Sequence, residues 1–212
     1  MTKYLGQSVA EKIGQLAGLP PEEREVVAYG LDYLLSGMLG LVLMLSIGLA
    51  LGFFQESLII IFCWTSMRIF AGGVHCRALW RCTVVNCLGL IVALLIVRVA
   101  FYLFPTAFWV GTAAVWSLGA TWVWAPNNSE RPVHDPKRRR LLRRRALVLV
   151  MVMSSFLFYL AIAAVEPWSY LAVSGATGLG AGGFMLSPLG FRLVGCLDQM
   201  LESFWSFSGK RG

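Results

Sequence analysis

The stretch Tyr33-Leu-Leu-Ser-Gly-Met-Leu-Gly-Leu-Val-Leu-Met-Leu-Ser-Ile-Gly-Leu-Ala-Leu-Gly-Phe-Phe-Gln55 carries no charge from end to end. A helix needs roughly 20 apolar residues to cross the hydrocarbon of a bilayer, so this segment is long enough to span. Further uncharged runs follow at Val99 to Ser129, Ala146 to Val165 and Pro167 to Phe191. Shorter runs at Ser57 to Met67 and Cys82 to Val97 must borrow flanking residues. The pattern predicts an all-α integral membrane protein with about six transmembrane helices, near 31–54, 56–71, 83–104, 107–125, 146–165 and 168–187. Composition agrees: 58% of residues are hydrophobic and 14% charged, against about 45–50% and about 25% in soluble domains. A water-soluble core of 212 residues could not absorb that apolar surface.

The whole chain, 1–212, reads as one polytopic domain. Residues 1–28 lack the continuous apolar core of a cleavable signal peptide, so the N-terminus is expected to be retained. Leu5, Val9, Ile13 and Leu16 recur at helical spacing beside Lys3, Glu11 and Lys12, as in a helix lying in the membrane interface. Pro20 and Pro21 end that helix, and Glu22 and Glu23 suit the first turn of the next. The net charge of +7 is concentrated in the 126–145 stretch, which holds Arg131, Lys137, Arg138, Arg139, Arg140, Arg143, Arg144 and Arg145. A short basic segment between apolar spans is cytoplasmic by the positive-inside rule. Counting spans from it puts both termini, the 188–212 tail and the Arg68–Cys82 connection on the same side of a bacterial plasma membrane. Anionic lipids or an acidic partner are the other readings of the charge; nucleic acid has no recognition module to support it. The glycines from Gly175 to Gly183 read as a close helix-packing surface. A phosphate-binding loop is the rival there, but no Lys follows the glycines.

Reactive residue types gather in one place, Arg68-Ile-Phe-Ala-Gly72-Gly73-Val-His75-Cys76-Arg77-Ala-Leu-Trp-Arg81-Cys82. On a straight helix His75 and Cys82 would share a face but stand about 10.5 Å apart along the axis. Proton transfer needs roughly 3 Å. Gly72 and Gly73 offer the remedy, because glycine tolerates the backbone needed for the chain to break or re-enter and bring the pair together. His75 would then serve as base or imidazolium partner to a Cys82 thiolate, with Arg77 and Arg81 favouring the anion. The bland readings are a packed histidine, a small apolar cysteine and arginines that anchor a membrane boundary. Zinc held by His75, Cys76 and Cys82 is the inorganic alternative, but it lacks a fourth ligand, so no metal or other cofactor is expected. Five cysteines without regular spacing make no disulfide framework.

These residues resemble the accessory gene regulator B (AgrB) membrane cysteine peptidases of quorum-sensing bacteria. That family's pattern of an Arg, a Gly shortly before a His, and a Cys seven positions after it is met by Arg68, Gly73, His75 and Cys82. Tyr29-Gly30-Leu31, Ala125-Pro126 with the basic stretch behind it, and Glu166-Pro167 are similar too. The resemblance implies an endopeptidase that removes the C-terminal tail of a small amphipathic precursor peptide. Cys82 attacks, His75 assists, and Arg68, Gly72 and Gly73 support the site. The thioester then passes to a Cys or Ser of the peptide, closing a thiolactone or lactone ring. Arg77, Arg81, Arg138, Arg139 and Arg140 would attract an acidic tail. Membrane lipids are the other expected partner, and a homodimer is left open. A non-catalytic peptide transporter or export module, and a peptidase releasing linear product, remain as alternatives.

Overall fold

The computed structural model describes Lys12 and residues 20–128, 135–163 and 165–208. The described residues are almost entirely helical: α1 (Pro21–Ala50), α2 (Phe54–Ala71), α3 (Leu79–Leu103), α4 (Thr106–Trp124), α5 (Pro136–Ala163), α6 (Trp168–Leu186) and α7 (Pro188–Ser208). Two-residue strands β1 (Gly72–Gly73) and β2 (Asn127–Asn128) pair in parallel. The expected interfacial helix lies largely outside the described residues, and residues 21–28 form the first turns of α1.

Helix α6 is the hub. It packs against α2, α3, α4 and α5 and turns into α7. Its glycines explain how so many helices reach it: a methyl group placed at Gly178 would stand 2.6 Å from the Ile60 carbonyl oxygen of α2, so only glycine admits that approach. The Gly175–Gly183 run is thus a packing surface, as small residues are between membrane helices. Large apolar side chains point outward instead, among them Leu49, Val92, Leu95, Val152 and Phe156. In water such a surface would be a liability; in lipid it is the natural solvent contact.

By length and apolarity, 4 helices can cross a membrane: α1 from Glu23, α2, α3 and α5. The count rises to 5 if α6 and α7, which meet at 82°, form one broken span. A count of six is not established by this measure: α4, helical where a span was placed, contains Trp109, Trp116, Trp122 and Trp124 with three threonines, which lower its mean hydropathy. Those residues favour the interface over hydrocarbon. Two further differences bear on the site. The basic stretch is helical from Pro136, so Lys137 to Arg145 occupy the first turns of α5 rather than a loop. The tail expected at 188–212 begins as an amphipathic helix, α7, folded back across the end of α3.

Candidate active site

Helix α2 stops where glycine replaces every residue with a side chain. Gly72 has φ 79° and ψ −145°, and Gly73 has φ 141°, conformations that L-residues rarely adopt. A methyl group at Gly72 would lie 2.5 Å from the Asn127 carbonyl oxygen, the contact made by the β1–β2 pairing. Past the glycines, the Val74 amide donates to the Met185 carbonyl at the end of α6, 3.4 Å away. The chain is therefore pinned on two sides before it turns into α3. The broken segment expected from the Gly pair is present.

That turn closes the gap a straight helix would leave. It brings the His75 side chain into interaction range of the Cys82 sulfur, although the two stand seven positions apart. Arg68, in the last turn of α2, holds the turn in place: its Nη2 donates to the Val74 carbonyl at 2.7 Å and stands 3.3 Å from both His75 ring nitrogens. An atom equidistant from the two nitrogens leaves at least one of them free for Cys82. Arg68 thus positions the histidine.

Cys82 sits in the first turn of α3, with its amide bonded to the Ala78 carbonyl at 3.1 Å. The positive end of a helix dipole favours a thiolate at that position. Cys76 lies close enough for both its thiol and its backbone amide to act on the Cys82 sulfur. The Cys76 thiol itself is pushed up from its ordinary value, first by the hydrogen bond to Cys82 and then by burial. Cys76 therefore keeps its proton and supports the neighbouring sulfur rather than competing with it as a nucleophile. The sequence reading treated Cys76 only as a second thiol or metal ligand, and adjacency to His75 was the sole signal of its role.

The arginines divide into two groups. Arg81 is buried and ion-paired to α7: its Nη1 is 3.2 Å from Asp198 Oδ1, 3.1 Å from Glu202 Oε2 and 3.1 Å from the Asp198 carbonyl. The expectation that Arg81 attracts a substrate tail fails here, since its charge is committed to holding α7. Arg77 is exposed, and its backbone amide donates to Asp198 Oδ2 at 3.4 Å. Arg138, Arg139 and Arg140 are exposed on α5. The same region is tied to the site end of the bundle, where Arg143 donates to the Ala125 carbonyl at 2.8 Å and Asn127 to the Leu186 carbonyl at 3.3 Å.

Sequence reasoning missed Asp198 and Asn86. An acidic pair one turn apart, Asp198 and Glu202, was the signal for the first. For the second it was an amide in an otherwise apolar stretch, one turn beyond Cys82; its Nδ2 lies 3.9 Å from the Cys82 sulfur.

A family model described as Accessory gene regulator B matches residues 4–186, which include every site residue except those of α7. A putative AgrB-like protein 2 of Clostridium perfringens (strain 13 / Type A) is 22% identical over 173 residues, covering 75% of this chain and 79% of the relative. A putative AgrB-like protein of Clostridium perfringens (strain SM101 / Type A) is 22% identical over the same length and shares. No solved structure matches the chain significantly. With the matched region spanning the helical bundle and the His75–Cys82 turn, the chain belongs to the accessory gene regulator B family.

Proposed function

We propose that this protein is a membrane-embedded cysteine endopeptidase that cleaves the C-terminal tail from a small amphipathic precursor peptide and hands the acyl group to a ring-closing nucleophile. One observation carries the reading: the Gly72–Gly73 break delivers His75 and Cys76 to the sulfur of Cys82 at a helix N-terminus. In this reading the Cys82 thiolate attacks the peptide carbonyl, forming the C–S bond and an oxyanion. Collapse expels the tail's amine, which takes a proton from His75. The resulting thioester keeps its activation, so a Cys or Ser within the bound peptide can displace Cys82 and close a thiolactone or lactone. A site at the rim of the bilayer limits the water that would otherwise discharge it.

Two surfaces favour an amphipathic substrate with an acidic tail. An apolar groove of about 250 Å³ opens between Val85 and Leu88 of α3 and Leu197, Met200, Leu201 and Phe204 of α7. The exposed Arg77, Arg138, Arg139 and Arg140 supply positive surface for a tail. Because the arginine-rich start of α5 and the site share one end of the bundle, the positive-inside rule assigns both to the cytoplasm. Labelling of a cysteine placed at position 134 from outside intact cells would refute that orientation.

The deciding experiment presents the protein in lipid vesicles with a short amphipathic peptide that carries an internal Cys or Ser and an acidic C-terminal tail. Wild-type protein should release the tail and a ring one water lighter than the linear acid. Cys82→Ala and His75→Ala should lose cleavage together, since a nucleophile and its base act as a unit. Undiminished cleavage by Cys82→Ala, or a hydroxylamine-sensitive adduct mapped to Cys76, would overturn the assignment. A product with the mass of the linear acid would replace ring closure by hydrolysis.

A further inference from the structure

A small cavity of about 40 Å³ lies beside the reactive cysteine, lined by Met44, Ile61, Trp64, Thr65, Arg68 and Asn86. Its polar lining is rich in donors. Asn86 contributes an amide N–H, Arg68 a guanidinium, and Trp64 an indole N–H that is buried with no acceptor among the described residues. Trp64 is 4% exposed, and its ring is seated against Gly89, where an added methyl group would stand 2.7 Å from Cη2. A buried donor left without an acceptor is costly, about 1–3 kcal/mol, and points to an acceptor that arrives during function. The space suffices for an oxygen atom, since a single water needs about 10–15 Å³ by the same kind of measure.

Asn86 is the donor nearest the chemistry. At 3.9 Å its Nδ2 is at the long limit of a hydrogen bond to the Cys82 sulfur. An attacked carbonyl carbon approaches to about 3–3.5 Å from the nucleophile and carries its oxygen beside the sulfur. A donor held one step back from that sulfur can reach the developing oxyanion at about 2.7–3.1 Å without the helix moving. Asn86 is one turn beyond Cys82 on the same helix, so the spacing is fixed by α3 itself. Asn86 itself is neither the nucleophile nor the base.

We propose that Asn86 is a catalytic residue of the acyl-transfer reaction, donating from Nδ2 to the carbonyl oxygen that becomes negative when Cys82 attacks, within the donor-lined cavity it shares with Trp64 and Arg68. The proposal rests on the reading of Cys82 as nucleophile. In the step it assists, the Cys82 thiolate forms a C–S bond to the carbonyl carbon, the carbonyl π electrons move to oxygen, and their return expels the leaving group. Asn86 neither gains nor loses a proton; it stabilises charge.

Two reagents separate this role from a structural one. p-Nitrophenyl acetate acylates a thiolate through a tetrahedral oxyanion and releases p-nitrophenolate. Iodoacetamide alkylates the same thiolate by direct displacement of iodide and forms no oxyanion. Both are applied to the full-length chain in detergent micelles, and adducts at Cys82 are quantified by peptide mass. Asn86→Ala should slow acylation of Cys82 by about 10²-fold, the usual loss for one oxyanion donor, while leaving its alkylation rate near that of wild type. Asn86→Gln, which keeps an N–H donor, should recover part of the acylation. Acylation of Asn86→Ala at the wild-type rate would overturn the proposal. So would a parallel fall in both reactions, which would make Asn86 a residue that only orients the sulfur or the helix. Failure of the wild-type protein to acylate Cys82 in preference to its other cysteines would instead remove the nucleophile, and this proposal with it.

Discussion

Replacing Gly72 by Ala tests the turn that assembles the site. The new methyl group would meet the Asn127 carbonyl oxygen at 2.5 Å and its carbon at 3.0 Å, where ordinary contact begins near 3.4 Å. The β1–β2 pairing must therefore open by close to 1 Å. The positive φ of 79° adds a further about 1–2 kcal/mol for any residue with a Cβ. A displacement of about 1 Å between reacting groups costs about 10²-fold in rate, so alkylation and acylation of Cys82 should both fall by about that factor. Gly73 supplies the internal comparison. It too has positive φ, but a methyl group there finds its nearest neighbour, Arg68 Nε, at an acceptable 3.5 Å. Gly73→Ala should suffer the backbone strain without the collision, and so lose less reactivity than Gly72→Ala. Rates are read by mass at Cys82 in full-length protein, with thermal unfolding in detergent as the check on folding. Equal rates for Gly72→Ala and wild type would refute the argument that this contact sets the geometry. A larger loss from Gly73→Ala would place the constraint at the wrong glycine.

Asp198→Ala should destabilise the protein by about 1.5–3 kcal/mol, because it removes one charged partner of the buried Arg81 while Glu202 and the residue-198 carbonyl remain. The double replacement Arg81→Met with Asp198→Leu should recover much of that, as judged by unfolding temperature and by protease cutting within α7. Gly178→Ala should force α6 away from α2 at the 2.6 Å approach to Ile60, at a cost of about 1–3 kcal/mol, read in the same unfolding assay. Cys76, whose thiol is held above its ordinary value, should stay slow toward iodoacetamide as pH rises from 7 to 9, while a free thiol in solution accelerates. Rapid labelling of Cys76 at pH 9 would show that it does not hold its proton for Cys82.

How far the sequence could be read depended on whether a feature was local. The spans were legible because uncharged length is a property of consecutive residues: most of the run from Tyr33 lies in α1, and the two short runs grew into α2 and α3. The chain break was legible because Gly72 and Gly73, just before His75, advertise it. The arginines at 137–145 misled, since charge density reads as loop while the backbone continues the helix that follows. Arg81 misled for another reason. Its partners Asp198 and Glu202 are more than a hundred residues away, and nothing near Arg81 signals them. Asn86 and the N–H of Trp64 meet only because α2 and α3 are adjacent, so the donor-lined cavity is a tertiary feature with no local signature.

The bonds that fix the reactive turn also impose an order of events during biosynthesis. Gly72 and Gly73 pair with residues 127 and 128, Val74 with Met185, and Arg81 with Asp198 and Glu202. Each of these partners leaves the ribosome after the turn itself, the last of them more than a hundred residues later. Cys82 is therefore translated early but acquires its full surroundings only when the C-terminal helix has docked. A nascent or truncated chain carries the cysteine without the contacts that surround it in the finished bundle.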